Sequence, residues 1–101
     1  EAEEGWLRYA VTRELCAWPE FTEAESPTVA ALKALLTAVH DRTRVFLAGI
    51  DSTDVDRHVE LPWGASAPLR WCIWHVLEHE IHHRGEIYLM LGLQGMEGPD
   101  V

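Results

Sequence analysis

Apolar positions recur at helical spacing in three stretches of the chain. In the middle stretch they follow one another in steps of three and four, which places them on one face of a helix. This stretch comprises Val29, Leu32, Leu36, Val39, Thr43, Phe46 and Ile50. The pattern predicts a helix over residues 27–48, with Ser26 as N-cap, Pro27 at the first helical position and Gly49 as C-cap. Such a seam is typical of a helical bundle.

The flanking stretches predict two further helices. Residues 2–18 combine a broad apolar face with acidic residues in the first turn, and Pro19 ends the segment. No capping residue precedes this helix, which is typical of a cut end. The third helix is predicted over residues 67–94, and the connection 51–66 contains a short extended piece together with Trp63, interpreted as a hydrophobic plug. The chain is therefore expected to be one all-α helical-bundle domain over residues 1–101.

The apolar seam of the third helix is interrupted by a histidine cluster. Four of the six histidines fall between positions 75 and 83. His75, His79 and His83 are spaced by four, so neighbouring pairs lie one turn apart on one face. His75 and His83 are separated by about 12 Å along the axis, whereas a metal–nitrogen bond measures about 2.1 Å. The three histidines therefore cannot easily share one metal ion. We predict that His79 and His83 bind one divalent metal ion, with a third ligand from elsewhere, although His75 could pair with His79 instead.

Other interpretations of the cluster have less support. Ordinary surface or core histidines are the simplest alternative, but burying several imidazoles without partners costs free energy. The helix also matches the zinc-protease patterns H-E-x-x-H and H-x-x-E-H. The extended protease pattern needs a glycine and a histidine where this chain has Glu86 and Leu89. No predicted strand precedes the helix to bind a peptide, so a protease is not favoured.

Two more residues outside the pair are candidates for the site. His40 would lie level with His79 in an antiparallel helix pair, but its neighbours Asp41 and Arg42 favour a solvated side chain over a metal ligand. Cys72 is interpreted as a core residue rather than a ligand.

Composition restricts the class of protein. The 101 residues are 48% hydrophobic, which excludes a disordered chain, and the net charge of −9 argues against nucleic-acid binding. No apolar run approaches the roughly 18 residues of a membrane span, and no signal peptide is recognisable. The two cysteines make no disulfide framework, so we expect a cytoplasmic protein.

Three segments resemble the DinB/YfiT-like family. Residues 69–92 resemble its last helix, while Glu4–Arg8 and Val39–Thr43 resemble its second and third helices. The resemblance implies a four-helix bundle, here truncated by the first helix and the start of the second. It also implies three histidine ligands: the last-helix pair falls on His79 and His83, and the third falls a few residues before Glu1.

The same resemblance suggests an activity. Some members of the family are similar to transferases that use bacillithiol or mycothiol, so a zinc or nickel ion is expected to activate a low-molecular-weight thiol for transfer to a second substrate. Glu78 or Glu80 would orient a ligand imidazole, and the sequence does not rank them. The alternative is a non-catalytic dimerisation module with a structural or vestigial metal site. With either function, the open seam of a three-helix bundle favours a homodimer.

Overall fold

The computed structural model describes residues 1–99. The first helix, α1, runs over Ala2–Glu4 and continues without a break as a π-helix over Gly5–Val11. The remaining elements are α2 (Val29–Ala48), a 3₁₀ turn (Asp54–Asp56), β1 (His58–Glu60), β2 (Ser66–Pro68) and α3 (Leu69–Leu93). Three helices and one small hairpin confirm the predicted all-α bundle class.

The first helix is shorter than predicted. It ends at Val11 rather than at residue 18, because Arg13 takes a left-handed conformation with φ of 60° and turns the chain. Trp18 then folds back over Gly5, where an added Cβ would lie 2.4 Å from the indole ring. Only glycine leaves room for this contact. The sequence pattern of residues 12–18 does not indicate that the chain folds back here.

The other helix boundaries shift by one or two residues. α2 begins at Val29 instead of residue 27, because the Thr28 side chain accepts a hydrogen bond from the Ala31 amide at 3.1 Å. The predicted cap at Ser26 is therefore wrong, whereas the C-cap at Gly49 is confirmed. α3 starts at Leu69 rather than at residue 67 because the preceding residues belong to β2, and it ends at Leu93.

The connection between α2 and α3 forms an antiparallel hairpin. Val59 of β1 pairs with Ala67 of β2, and its side chain is buried between two exposed neighbours. Gly64 adopts a φ of 83° in the turn, a conformation that favours glycine. The predicted extended piece is thus confirmed only for residues 58–60.

The core lies where the π-helix, the hairpin and the start of α3 meet. Its buried residues are Ala10, Val11, Val59, Leu61, Leu69 and Cys72. Burial raises the pKa of the Cys72 thiol, which confirms its interpretation as a core residue and keeps it protonated at neutral pH. The opposite end is open: Leu32, Leu36 and Ile81 are all exposed there.

A buried ion-pair network ties α2 to the first helix. The Glu4 carboxylate is almost fully buried and accepts hydrogen bonds from Arg42 of α2 at 2.7 Å and from Arg8 at 2.8 Å. Burial alone would raise the pKa of Glu4, but the bonds from Arg42 and Arg8 outweigh it and the pKa is lowered. Thr43 also donates to Glu3. These polar contacts hold α2 where much of its apolar surface stays exposed.

Within residues 1–99, no helix combines the length and the apolar character required to cross a lipid bilayer.

Candidate metal centre

The predicted metal pair lines a groove between the helices. His79 and His83 of α3 lie on one wall, and Glu3 and His40 lie on the other side. The groove has a volume of about 630 Å³, which falls in the range of small-molecule sites. The helix periodicity that places positions 79 and 83 on one face therefore turns them towards the first helix and α2.

The structure separates His75 from the other two histidines of this face. The rings of His79 and His83 have centroids 4.5 Å apart, whereas those of His75 and His79 are 6.1 Å apart. His75 instead stacks on Trp71, at 4.9 Å and an angle of 8° between the planes. The closer pair of imidazoles on this face is thus His79 with His83, and their sharing of one metal ion stays a prediction.

The protonation of His79 suits a metal ligand. Burial lowers the pKa of its imidazole, and positive charge on His83 and His75 lowers it further. Neutral imidazole is the form that coordinates a metal. At neutral pH the lowered pKa leaves one ring nitrogen of His79 unprotonated and able to coordinate a metal ion.

A second donor group overlaps the first on α3. His82, His83 and Glu86 each offer one donor atom, and these atoms lie within 4.8 Å of one another. Glu86 places one oxygen 2.6 Å from His83 Nδ1 and the other 3.2 Å from His82 Nε2. The bond with His83 is also the main cause of the lowered pKa of Glu86. All three side chains are exposed.

The sequence interpretation missed this group. Its signal was present, because His82 and Glu86 are four residues apart, the same spacing as His79 and His83. The two groups share the imidazole of His83.

The residues considered as further ligands have other partners. His40 Nε2 lies 3.2 Å from a carboxylate oxygen of Glu3, so it reaches the groove but is paired there. The third ligand expected before Glu1 falls outside the described residues. Glu1 itself lines the groove and accepts a hydrogen bond from the Phe21 amide at 3.1 Å. Glu1 and Glu3 thus both place carboxylates in the lining of the groove.

The two carboxylates predicted to orient a ligand imidazole are engaged elsewhere. Glu80 accepts a hydrogen bond from Arg84 at 2.8 Å, and Glu78 lies 4.0 Å from His75 Nδ1. The carboxylate that contacts a ligand of the predicted pair is Glu86, through His83 Nδ1. A carboxylate on the second nitrogen of a ligand histidine is the usual arrangement in metal sites.

Comparison with known families gives one match. The family model described as the DinB superfamily matches residues 1–87, from the first helix to Ile87 of α3. The matched range includes both donor groups. No curated protein and no solved structure matches the chain.

Proposed function

Because the chain belongs to the DinB superfamily, we propose that His79 and His83 bind a divalent metal ion and that the site activates a low-molecular-weight thiol for transfer to a second substrate. The observation that carries this proposal is the adjacency of the two imidazoles, 4.5 Å apart on one wall of the groove. Imidazole ligands suit zinc and nickel. A bound ion of this kind lowers the pKa of a coordinated thiol.

Individual side chains have distinct roles in this proposal. His79, with its lowered pKa, offers a free nitrogen. Glu86 accepts a hydrogen bond from His83 Nδ1–H, which fixes the tautomer and leaves Nε2 as the ligand nitrogen. A third ligand is still needed: Glu1 and Glu3 line the groove, but among residues 1–99 neither forms a donor group with His79 and His83. The groove walls include Leu36, Val76 and Ile87, whose apolar surfaces limit water around the thiol.

Thiol binding that depends on metal tests this function. Nickel-loaded protein titrated with bacillithiol or mycothiol is expected to develop a thiolate-to-nickel absorption band, because the thiolate enters the coordination sphere. The exposed Cys16 is a competing thiol, so the titration is run in the Cys16→Ser variant. The serine-containing analogue of the thiol should give no band, and the double variant His79→Ala/His83→Ala should lose it. Equal thiol binding with and without metal would contradict the proposed activation.

A second candidate function rests on the outer face of α3. Trp74, Leu77 and Ile81 are spaced by three and four and are all exposed, with 56% exposure for Trp74 and 55% for Ile81. Contiguous apolar patches of this kind mark interaction surfaces. The second proposal is therefore a homodimerisation module that buries this face against a second copy, with the metal site structural or vestigial.

Sedimentation equilibrium distinguishes this surface from other exposed apolar positions. Ile81→Asp is expected to shift the protein towards monomer, because it places a charge in the buried interface. Val45→Asp, on α2, is the matched control and should leave the association unchanged, although Val45 is also exposed. A wild-type protein that stays monomeric throughout the concentration range would rule out the module.

A further inference from the structure

Three tryptophans from three separate elements meet outside the groove. Trp6 lies in the π-helix, Trp63 in the hairpin turn and Trp71 near the start of α3. The Trp6 ring is 5.3 Å from Trp63 and 5.5 Å from Trp71, measured between centroids, and it stands at 89° and 74° to them. Trp6 thus contacts both of the other indoles, with its ring at a steep angle to each.

These rings line one cavity of about 390 Å³, whose other lining residues are Leu61 and residues 65–68. The walls are open to solvent, with Trp63 53% and Trp71 44% exposed. Among residues 1–99, no charged side chain lines the cavity. Its one side-chain hydroxyl, on Ser66, is already engaged with His58 Nδ1 at 3.2 Å.

The rings are held in place by the surrounding fold. Trp71 stacks on His75, and Trp6 packs at 72° against the same imidazole, with the centroids 4.7 Å apart. The turn that carries Trp63 is closed by a hydrogen bond from the Leu61 amide to the Ala65 carbonyl at 2.7 Å. The cavity is therefore formed before any ligand arrives, which lowers the entropic cost of binding.

The chemistry of this cavity selects a particular ligand. Indole faces carry negative electrostatic potential, and tryptophan is the best aromatic partner for a cation. The lining residues offer no carboxylate to a primary ammonium and no cation to an anion, whereas a quaternary ammonium needs no hydrogen-bond partner. The chain carries 17 acidic and 8 basic residues, so its overall field attracts cations. We propose that the Trp6–Trp63–Trp71 cavity binds the quaternary ammonium group of a small organic cation.

Choline and its neutral isostere 3,3-dimethylbutan-1-ol test the proposal directly. The two probes have the same shape and differ in the charge of the central atom. Calorimetric titration of the full chain is expected to show choline binding about tenfold tighter or more, because the cation–π attraction needs the charge. Equal affinity for the two probes would overturn the proposal, since the cavity would then be merely apolar. Absence of choline binding would overturn it as well.

Variants localise the binding. Trp63→Leu is expected to weaken choline binding about tenfold, and Trp63→Phe less, because phenylalanine retains an aromatic face. Trp63 is in an exposed turn, so these variants test the cavity even if Trp71→Leu fails to fold. Trp74→Leu is the matched control, since Trp74 is 56% exposed on α3 but does not line the cavity. Loss of binding in Trp74→Leu equal to that in Trp63→Leu would refute this location.

The proposed ammonium-binding cavity is separate from the proposed metal site. Choline binding is expected to be the same in wild type and in His79→Ala/His83→Ala, because neither histidine lines the cavity. Choline binding lost in that variant, with the fold retained, would contradict an independent site.

Discussion

Replacing His83 with alanine is expected to lower the affinity for zinc or nickel by about 100-fold or more, because both donor groups on α3 contain this imidazole. Competition titration against a chromophoric chelator measures the affinity. His58→Ala, in the hairpin and away from the groove, is the control and should leave the affinity unchanged. Metal binding that survives in His83→Ala would place the ion at residues other than His83 and contradict both donor groups.

The same titration distinguishes the two groups. If His79 and His83 hold the ion, His79→Ala should match His83→Ala, and His82→Ala should change the affinity only a few-fold. Glu86→Ala should lower the metal affinity by about 10–100-fold, more than His82→Ala and less than His79→Ala, because it removes the carboxylate bonded to His83 Nδ1. The reverse ranking of His79→Ala and His82→Ala would assign the ion to the exposed His82, His83 and Glu86 group instead.

Truncating Leu69 to alanine should cost about 2–5 kcal/mol of the free energy of unfolding. Leu69 is 0% exposed where α3 meets the hairpin and the π-helix, so the substitution leaves a cavity in the centre of a small core. Domains of this kind have only about 5–15 kcal/mol in total. Urea denaturation followed by circular dichroism measures the change.

Leu89→Ala provides the control on the same helix. Leu89 is 65% exposed, and surface substitutions stay within about 0.5 kcal/mol. Similar losses in the two variants would mean that Leu89 is as buried in solution as Leu69, which would contradict the position of the core.

The helices were predictable where the determining interactions are local. The three- and four-residue spacing between Val29 and Ile50 specifies α2, and Gly49 supplies its C-cap. The end of the first helix was not predictable, because it depends on the contact between Trp18 and Gly5. The alternating pattern indicated the strand at residues 58–60, whereas the partner strand has only three residues and includes Pro68, which is too short for a two-residue period to be recognised.

The candidate metal site was likewise only partly predictable from the sequence. The spacing of His79 and His83 is a property of the helix, so their proximity follows from the sequence. The sequence does not show which atoms surround the two imidazoles. The hydrogen bond between Glu86 and His83 depends on side-chain conformations that only the structure gives. The aromatic cavity combines Trp6, Trp63 and Trp71 from distant parts of the chain. Trp63, interpreted as a plug, packs on Trp6 but stays half-exposed.

Elemental analysis of untagged protein, after incubation with zinc or nickel and removal of excess ion, tests the central claim most directly. The account predicts close to one metal ion per chain in the wild type and almost none in the folded double variant His79→Ala/His83→Ala. A wild-type protein that retains no metal, or a double variant that retains as much as the wild type, would contradict a metal site at His79 and His83.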